Sequence, residues 1–222
     1  VAVGYNTLRD LDAGADAYNV AIGYEAGKVV STGIQNTLIG GLAGDALTTG
    51  NYNVAIGGNT LSAEDAHGYN TAVGYNALRL QNAGADAYNV ALGYNAGENI
   101  STGTSNVLLG SQAGDALTTG SHNVAIGRGA LGGEDGDGRN VAIGHEALNT
   151  QNAGADAYNV AVGYAAGQAV STGVRNIIIG ADAGISMTSA SYSVAIGYNA
   201  LGDETTNSNN VAIGDASMSS SE

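Results

Sequence analysis

A short motif ending in glycine recurs along the whole chain, and its spacing constrains the fold more than any other feature. In most copies the motif is Asn, then three apolar or Thr residues, then Gly, and this glycine occurs thirteen times. Successive glycines are 19, 17, 17 and 17 residues apart, and this order of steps then repeats. So short and regular a period indicates a solenoid in which each repeat forms one coil. The glycines are Gly4, Gly23, Gly40, Gly57, Gly74, Gly93, Gly110, Gly127, Gly144, Gly163, Gly180, Gly197 and Gly214.

Segments that lie 70 residues apart, the length of four successive steps, are nearly identical. AGADAYNVAIGY at 13 returns as AGADAYNVALGY at 83 and AGADAYNVAVGY at 153, so a four-coil cassette was duplicated. We therefore assign the chain to one repeat domain, followed by a partial coil and a Ser-rich tail. Because the sequence starts inside a repeat, we expect it to be a portion of a longer protein. The repeat domain is 1–214, its cassettes are about 4–73, 74–143 and 144–213, and the partial coil with the tail is 215–222.

The apolar triplet of each motif predicts a β-strand. It is rich in β-branched residues and bounded by Asn and Gly, which indicates a strand of four or five residues. A period of 17 residues is too short for a strand, a helix and two loops, but it fits one strand, a turn and a shorter return segment. The predicted fold class is all-β, a parallel β-solenoid (β-roll or β-helix) of about 13 coils of 17–19 residues, whose strands pair at ~4.8 Å.

Nearly every coil carries one large apolar residue that we expect to fill its interior. In six coils Ala-Gly occupies the third and fourth positions after the strand glycine, and the large residue is the seventh; in the other coils it is the fourth. Like coils come in adjacent pairs, so similar residues stack on each other. The seventh-position residues are Val30, Leu47, Ile100, Leu117, Val170 and Met187, and the fourth-position residues are Leu8, Leu61, Leu78, Leu131, Leu148, Leu201 and Met218.

The triplets also predict a second apolar face. The first and third residues share one face of the strand and the middle residue lies on the other. All three are apolar in most coils, so one face fills the interior while the other needs a cover along the rod. The middle column is mostly Ala, which permits close approach of another backbone, and self-association about an axis parallel to the rod is the simplest cover.

The residue before each triplet forms a further column. It is Asn from Asn19 to Asn210, with Ser193 as the exception, and it predicts hydrogen bonds between stacked copies.

The composition of the chain disfavours several kinds of binding partner. Six Lys and Arg against twenty Asp and Glu give a net charge of −14, which disfavours nucleic acid and anionic lipid surfaces. The absence of Cys excludes disulfides and thiolate chemistry. No segment approaches the ~18 consecutive apolar residues of a membrane span, so we expect no membrane insertion.

The polar residues do not predict a catalytic site. The three histidines, His67, His122 and His145, fall in different columns of the repeat, and catalysis needs groups that converge. We therefore expect no enzymatic activity and no cofactor. Carboxylate pairs recur in the fourth coil of each cassette, and we interpret them as solvated loops, with calcium binding at the EDGDG stretch as the alternative. They are Glu64-Asp65, Glu134-Asp135-Asp137 and Asp203-Glu204.

All twelve tyrosines fall into two columns that flank the strands. Our interpretation is that they stack on one another at corners or between chains, and contact with a sugar ligand is the alternative. Tyr18, Tyr52, Tyr69, Tyr88, Tyr158 and Tyr192 precede the Asn or Ser of the motif, and Tyr5, Tyr24, Tyr75, Tyr94, Tyr164 and Tyr198 follow its glycine.

Several segments resemble known repeat families. GYNTAVGYNAL at 68–78, NVAIGYEAG at 19–27 and GDALTTGSHNVAIG at 114–127 resemble the NTAVGYxAL-type repeats of bacteriophage tail-fibre proteins, and they are similar to the SVAIG repeats of trimeric autotransporter adhesin heads. Both resemblances imply parallel β-solenoids, left-handed by analogy, assembled as homotrimers. The adhesin coils are usually shorter and more uniform than those found here, which favours the phage type.

Together these patterns predict a structural shaft of a trimeric tail fibre or virion appendage involved in host attachment, on the virion or in the extracellular space. The expected partners are further copies of the chain and a host-surface glycan or receptor. Two alternatives stay open, a bacterial trimeric surface adhesin head that binds matrix protein or glycan, and a self-assembling extracellular filament.

Overall fold

The computed structural model describes residues 1–14, 16–136 and 138–219, and it confirms a parallel β-solenoid. Thirteen strands form one sheet, and each strand pairs in parallel with the next strand along the chain. The strands are β1 Ala2–Val3, β2 Val20–Ile22, β3 Thr37–Ile39, β4 Val54–Ile56, β5 Thr71–Val73, β6 Val90–Leu92, β7 Val107–Leu109, β8 Val124–Ile126, β9 Val141–Ile143, β10 Val160–Val162, β11 Ile177–Ile179, β12 Val194–Ile196 and β13 Val211–Ile213.

Each coil contains one strand, a turn and a return segment without regular structure. The strands after β1 have three residues, one or two fewer than the motif predicts, because the chain turns at the strand glycine and at the residue before the Asn, both of which have positive φ. The register is strict: Val107 pairs with Val124, Leu108 with Ala125 and Leu109 with Ile126. Every triplet therefore stacks on the equivalent triplet of the next coil.

The interior lies on the side of the sheet that receives the middle residue of each triplet. These residues, mostly Ala, are buried from Ala21 to Ala212. The suggestion that the Ala column faces a neighbouring chain is therefore wrong. Ala is small because the coil is thin on this side, and the larger Leu38, Leu108 and Ile178 occupy the column once in each cassette.

The large apolar residues fill the interior from two positions, as predicted. Those at the seventh position are buried, and so are those at the fourth position from Leu61 to Leu201, while Leu8 is partly buried and Met218 is exposed. The glycine at the fourth position explains the alternation. A Cβ on Gly114 would lie 2.7 Å from Leu117 Cδ1 and 2.9 Å from Leu108 Cδ2, so these two side chains occupy the space that Leu131 fills in the next coil.

The strand glycine is required for two reasons. Its φ lies between 127° and 144° in every coil, a region that L-residues rarely adopt. Successive coils also approach closely there, since a Cβ on Gly110 would lie 2.7 Å from the carbonyl carbon and oxygen of Gly127. A side chain at this position would force the stacked coils apart.

The buried Asn column forms the predicted ladder. The backbone N–H of Asn36 donates to Asn19 Oδ1 at 2.8 Å, and Asn36 Nδ2 donates to the Gly50 carbonyl at 2.8 Å. The N–H to Oδ1 bond recurs at each step as far as Ser193, whose own Oγ accepts from the Asn210 N–H at 3.2 Å. Each Asn therefore links its own coil to both neighbours.

Candidate functional site

The exposed side of the sheet is the largest candidate interaction surface. We call it the outer face: the first and third residues of each triplet, together with the two columns that flank the strand. Its strand residues are Val, Ile, Leu or Thr and are half-buried or exposed; Leu92, for example, is 50% exposed. The apolar stripe predicted along the rod therefore exists, and it consists of β-branched and Leu side chains instead of Ala.

Carboxylates are nearly absent from the outer face, although the chain has a net charge of −14. Of the twenty Asp and Glu residues in the sequence, only Asp215 occupies one of its four columns. Three of the six Lys and Arg residues, Arg128, Arg139 and Arg175, lie in the flanking columns. The charge is thus distributed over the turns and return segments, which leaves the outer face apolar and aromatic.

The column before the motif Asn forms aromatic and cation–π ladders along the rod. Tyr52, Tyr69 and Tyr88 stack with ring centroids 5.0 and 5.1 Å apart. Further along, the guanidinium of Arg175 lies 5.7 Å from the Tyr158 ring and 5.5 Å from the Tyr192 ring. These contacts join consecutive coils at the edge of the outer face.

The column after the strand glycine stacks in pairs. Tyr5 stacks on Tyr24 at 5.5 Å and Tyr75 on Tyr94 at 6.0 Å. His145 stacks on Tyr164 at 5.4 Å in the corresponding coils of the third cassette. The prediction that the tyrosines stack on one another is confirmed within the chain for seven of the twelve, whereas Tyr164 stacks on a histidine and Tyr158 and Tyr192 contact arginines.

Stacking restricts what these rings can bind. Sugars usually pack a face of the pyranose against a free aromatic face, whereas both faces of the Tyr69 ring are covered by Tyr52 and Tyr88. The rings present their edges and hydroxyl groups to solvent, since Tyr52 and Tyr69 are 43% and 44% exposed. At the centre of this ladder the arrangement favours contact with another protein surface over stacking with a glycan, whereas each Tyr of the pairs after the strand glycine is stacked on one face only.

The histidines do not converge. His122 is exposed in the column before the motif Asn, while His67 lies in the loop of an earlier coil. His145 Nε2 lies 2.9 Å from Arg128 Nη1 and 4.0 Å from Glu146 Oε1, and its ring packs on Tyr164.

The acidic loops are not simply solvated, so that interpretation is partly wrong. Asp65, Asp135 and Asp203 are exposed, but Glu64 and Glu134 are fully buried. Burial raises the pKa of the Glu64 carboxyl by desolvation, although the His67 backbone N–H donates to it. Asp137, part of the EDGDG stretch, lies outside the described residues.

The position of these two glutamates within the repeat indicated that they are buried. Glu64 and Glu134 are the seventh residues after their strand glycines, the position that holds Leu47 and Leu117 in other coils. The following coils have a buried Gln there, and Gln81 Oε1 accepts from Asn89 Nδ2 at 2.7 Å. From Val30 onward the seventh position is therefore an interior column in which two apolar residues alternate with two polar ones.

The loop of Glu64 brings three metal-ligating side chains together. Ligand atoms of Glu64, Asp65 and His67 lie within 4.8 Å of one another. Glu64 Oε1 accepts from the His67 backbone N–H at 3.0 Å and lies 3.3 Å from His67 Nδ1. It is the only such group of His and carboxylate side chains within the ranges that the structure describes.

Comparison with known proteins finds no relative of the chain. No protein-family model, curated protein or solved structure matches the chain. No helix in the described part of the chain has the length and apolar character needed to cross a membrane.

Proposed function

We propose that the chain is a shaft segment of a homotrimeric fibre, a phage tail fibre or other virion appendage, that extends toward a host surface. The observation that carries the proposal is the continuous outer face of a thirteen-stranded parallel sheet, apolar along the strands and bordered by aromatic ladders. Its function is mechanical: it sets the length and stiffness of the appendage.

The size of the outer face suits a stable assembly. Twelve strand intervals of ~4.8 Å and a width of about five residues give a surface of roughly 1,000 Å². In a trimer each chain shares this face between two neighbours, so each pairwise contact would bury roughly 500 Å² per chain and about 1,000 Å² in total, the lower bound for a specific interface. Three copies that turn this face toward a common axis would bury it while their carboxylates stay in solvent.

The covered ring at the centre of the Tyr52, Tyr69 and Tyr88 ladder favours a shaft over an adhesin head that binds glycans through its side wall. In this proposal the receptor contact belongs to another part of the fibre, and the aromatic ladders support contacts between chains. Tyr and Arg are enriched in protein interfaces, which agrees with their position beside the apolar strands.

The mass of the assembly in solution tests the proposal. Light scattering and sedimentation velocity are expected to give three times the 21.8 kDa mass of the chain. Leu92→Glu places a charge in the centre of the outer face and should yield a folded monomer, because this side chain points away from the interior. Ala85→Glu is the matched control: it adds the same charge to an exposed loop and should leave the trimer intact.

A stable monomer of the unmodified chain, or a trimer that tolerates Leu92→Glu, would contradict the proposal. Immunogold electron microscopy of the native source then tests the biological role. Label along fibres attached to virions is expected. Label on bacterial cell surfaces would favour the adhesin, and end-stacked filaments the third alternative.

A further inference from the structure

We propose that Glu64, Asp65 and His67 form a binding site for a divalent transition-metal ion, with zinc as the best fit. The site is separate from the outer face, so it goes beyond the proposed fibre function. It rests on orphaned buried atoms and on a comparison of the same loop in the three cassettes.

The first observation is that the buried polar atoms at this loop are incompletely paired. Glu64 is fully buried, and its Oε2 has no hydrogen-bond partner. His67 Nδ1 is also buried without a partner, although it lies 3.3 Å from Glu64 Oε1. Leaving a buried carboxylate oxygen without a partner destabilises the folded chain, because the oxygen loses its hydration and gains nothing in return. A cation coordinated by His67 Nδ1 and by both oxygens of the Glu64 carboxylate would remove this cost.

The second observation comes from the other cassettes, where the same position is satisfied without a cation. Glu134 Oε2 accepts from Asn140 Nδ2 at 3.3 Å. Glu204 accepts from the backbone N–H groups of Thr205, Thr206 and Asn207. In the first cassette the corresponding bond is missing, since both Glu64 Oε2 and Asn70 Nδ2 lack partners. His67 also occurs only there, because the equivalent residues are Asp137 and Asn207.

The types of ligand atom at this loop favour zinc over other divalent ions. One imidazole nitrogen and two carboxylates suit zinc and its neighbours in the first transition row, whereas calcium prefers six to eight oxygen ligands. Zinc needs its nitrogen and oxygen ligands at about 2.0–2.2 Å, which places the ligands roughly 3.3 Å from one another. Glu64 Oε1 and His67 Nδ1 already meet this spacing, and a carboxylate oxygen of the exposed Asp65 lies within 4.8 Å of the ligand atoms of both residues.

A bound ion would fasten this loop to its neighbours. The Asp65 carbonyl accepts from the N–H groups of Thr48 and Thr49 in the preceding coil, and the His67 carbonyl accepts from Asn53 Nδ2. Fixing the side chains of Asp65 and His67 therefore restrains the junction between the third and fourth coils. The expected consequence is a higher unfolding temperature in the presence of zinc.

Isothermal titration of the chelator-treated chain with zinc chloride tests the site. One ion per chain is expected, with no competition from excess calcium. His67→Asn installs the residue that the third cassette has at this position, so it should fold normally and lose the binding. Glu64→Gln should lose it as well, and His122→Asn, which changes an exposed histidine in another coil, should retain it.

X-ray absorption at the zinc edge of the unmodified protein provides a readout that needs no variant. A shell with one imidazole nitrogen and carboxylate oxygens supports the site, and a shell of oxygen alone overturns it. Absence of binding, or binding that survives His67→Asn, would also overturn it. Calcium binding in place of zinc would overturn the assignment of the ion.

Discussion

At the scale of single residues, each coil depends on left-handed backbone at three positions besides the strand glycine. The second and fourth residues after that glycine and the residue before the motif Asn have positive φ in nearly every coil, and many are not glycine. Leu131 (φ 52°), Tyr158 (φ 55°) and Arg175 (φ 57°) are examples. An L-residue in this region costs about 1–2 kcal/mol, so packing and stacking along the rod must offset a repeated penalty.

These backbone conformations could not be predicted from the sequence. Leu, Tyr and Arg rarely adopt positive φ, and no local signal distinguishes Leu131 from a residue in an ordinary turn. The alternation of Leu and Gly at the fourth position was visible, and it predicted correctly that the space is shared with the seventh position. Burial of Glu64 was missed because its charge suggested solvent, although the register placed it in an interior column.

The shared space leads to a prediction about Gly114 and Leu117. Leu117→Ala leaves a cavity and should lower the free energy of unfolding by about 2–5 kcal/mol. Gly114→Leu alone overpacks the coil, since its Cβ would lie 2.7 Å from Leu117 Cδ1. The double variant moves the large residue from the seventh to the fourth position and removes the clash with Leu117, while the contact with Leu108 Cδ2 at 2.9 Å stays. Its destabilisation should be smaller than the sum of the single effects by about 1–3 kcal/mol.

Urea unfolding followed by far-UV circular dichroism measures these differences, at one fixed protein concentration because association also stabilises the fold. The control pairs Gly114→Leu with Leu61→Ala, which removes a large residue three coils away. Those two effects should add to within about 0.5 kcal/mol. Simple additivity of the Gly114 and Leu117 substitutions would show that the two positions do not share one space.

At the scale of elements, the strand and the Asn ladder act together to fix the register between coils. Three residues per strand provide few backbone hydrogen bonds, so the Asn side chains supply further links at the strand entrance. The sequence predicted this ladder because Asn occupies one column of the period. It could not predict which face of the strand is interior, since both faces are apolar. Which face is interior depends on the thickness of the coil. Over most of its length the interior is so thin that only the Ala-rich face of the strands fits against it.

A substitution in the middle of the ladder should show its contribution. Asn106 Oδ1 accepts from the Asn123 N–H at 2.9 Å, and Asn106 Nδ2 donates to the Gly120 carbonyl at 2.9 Å. Asn106→Ala leaves both buried groups unpaired and should destabilise the protein by about 3 kcal/mol. Asn106→Ser keeps an acceptor, as Ser193 does toward Asn210, and should cost less. Hydrogen exchange of the Asn123 amide should accelerate in Asn106→Ala more than in Asn106→Ser, and equal exchange would contradict a role for the ladder.

At the scale of the whole molecule, the 70-residue cassette is the unit that preserves every column at once. Removing a single coil would leave the other member of its pair between two unlike neighbours, because fourth-position and seventh-position residues come in pairs. Removing four coils restores the same sequence of neighbours on both sides of the junction. The solenoid can therefore change length by whole cassettes without a new packing problem, which suits the proposed role as a shaft.

Deleting 74–143 tests this directly. Val73 would then be followed by Gly144, which is the equivalent of Gly74, so all columns stay in register. The rod should fold and shorten by four strand intervals, about 19 Å, in small-angle scattering. Deleting 74–142 differs by one residue and leaves Ile143 as an extra residue in the junction strand. Because successive strand residues face opposite sides, that residue must bulge out or turn the following side chains the wrong way, and the unfolding temperature should fall well below that of the 70-residue deletion. Equal stability of the two deletions would mean that coils are joined without strict register, contrary to the strand pairing observed across the sheet.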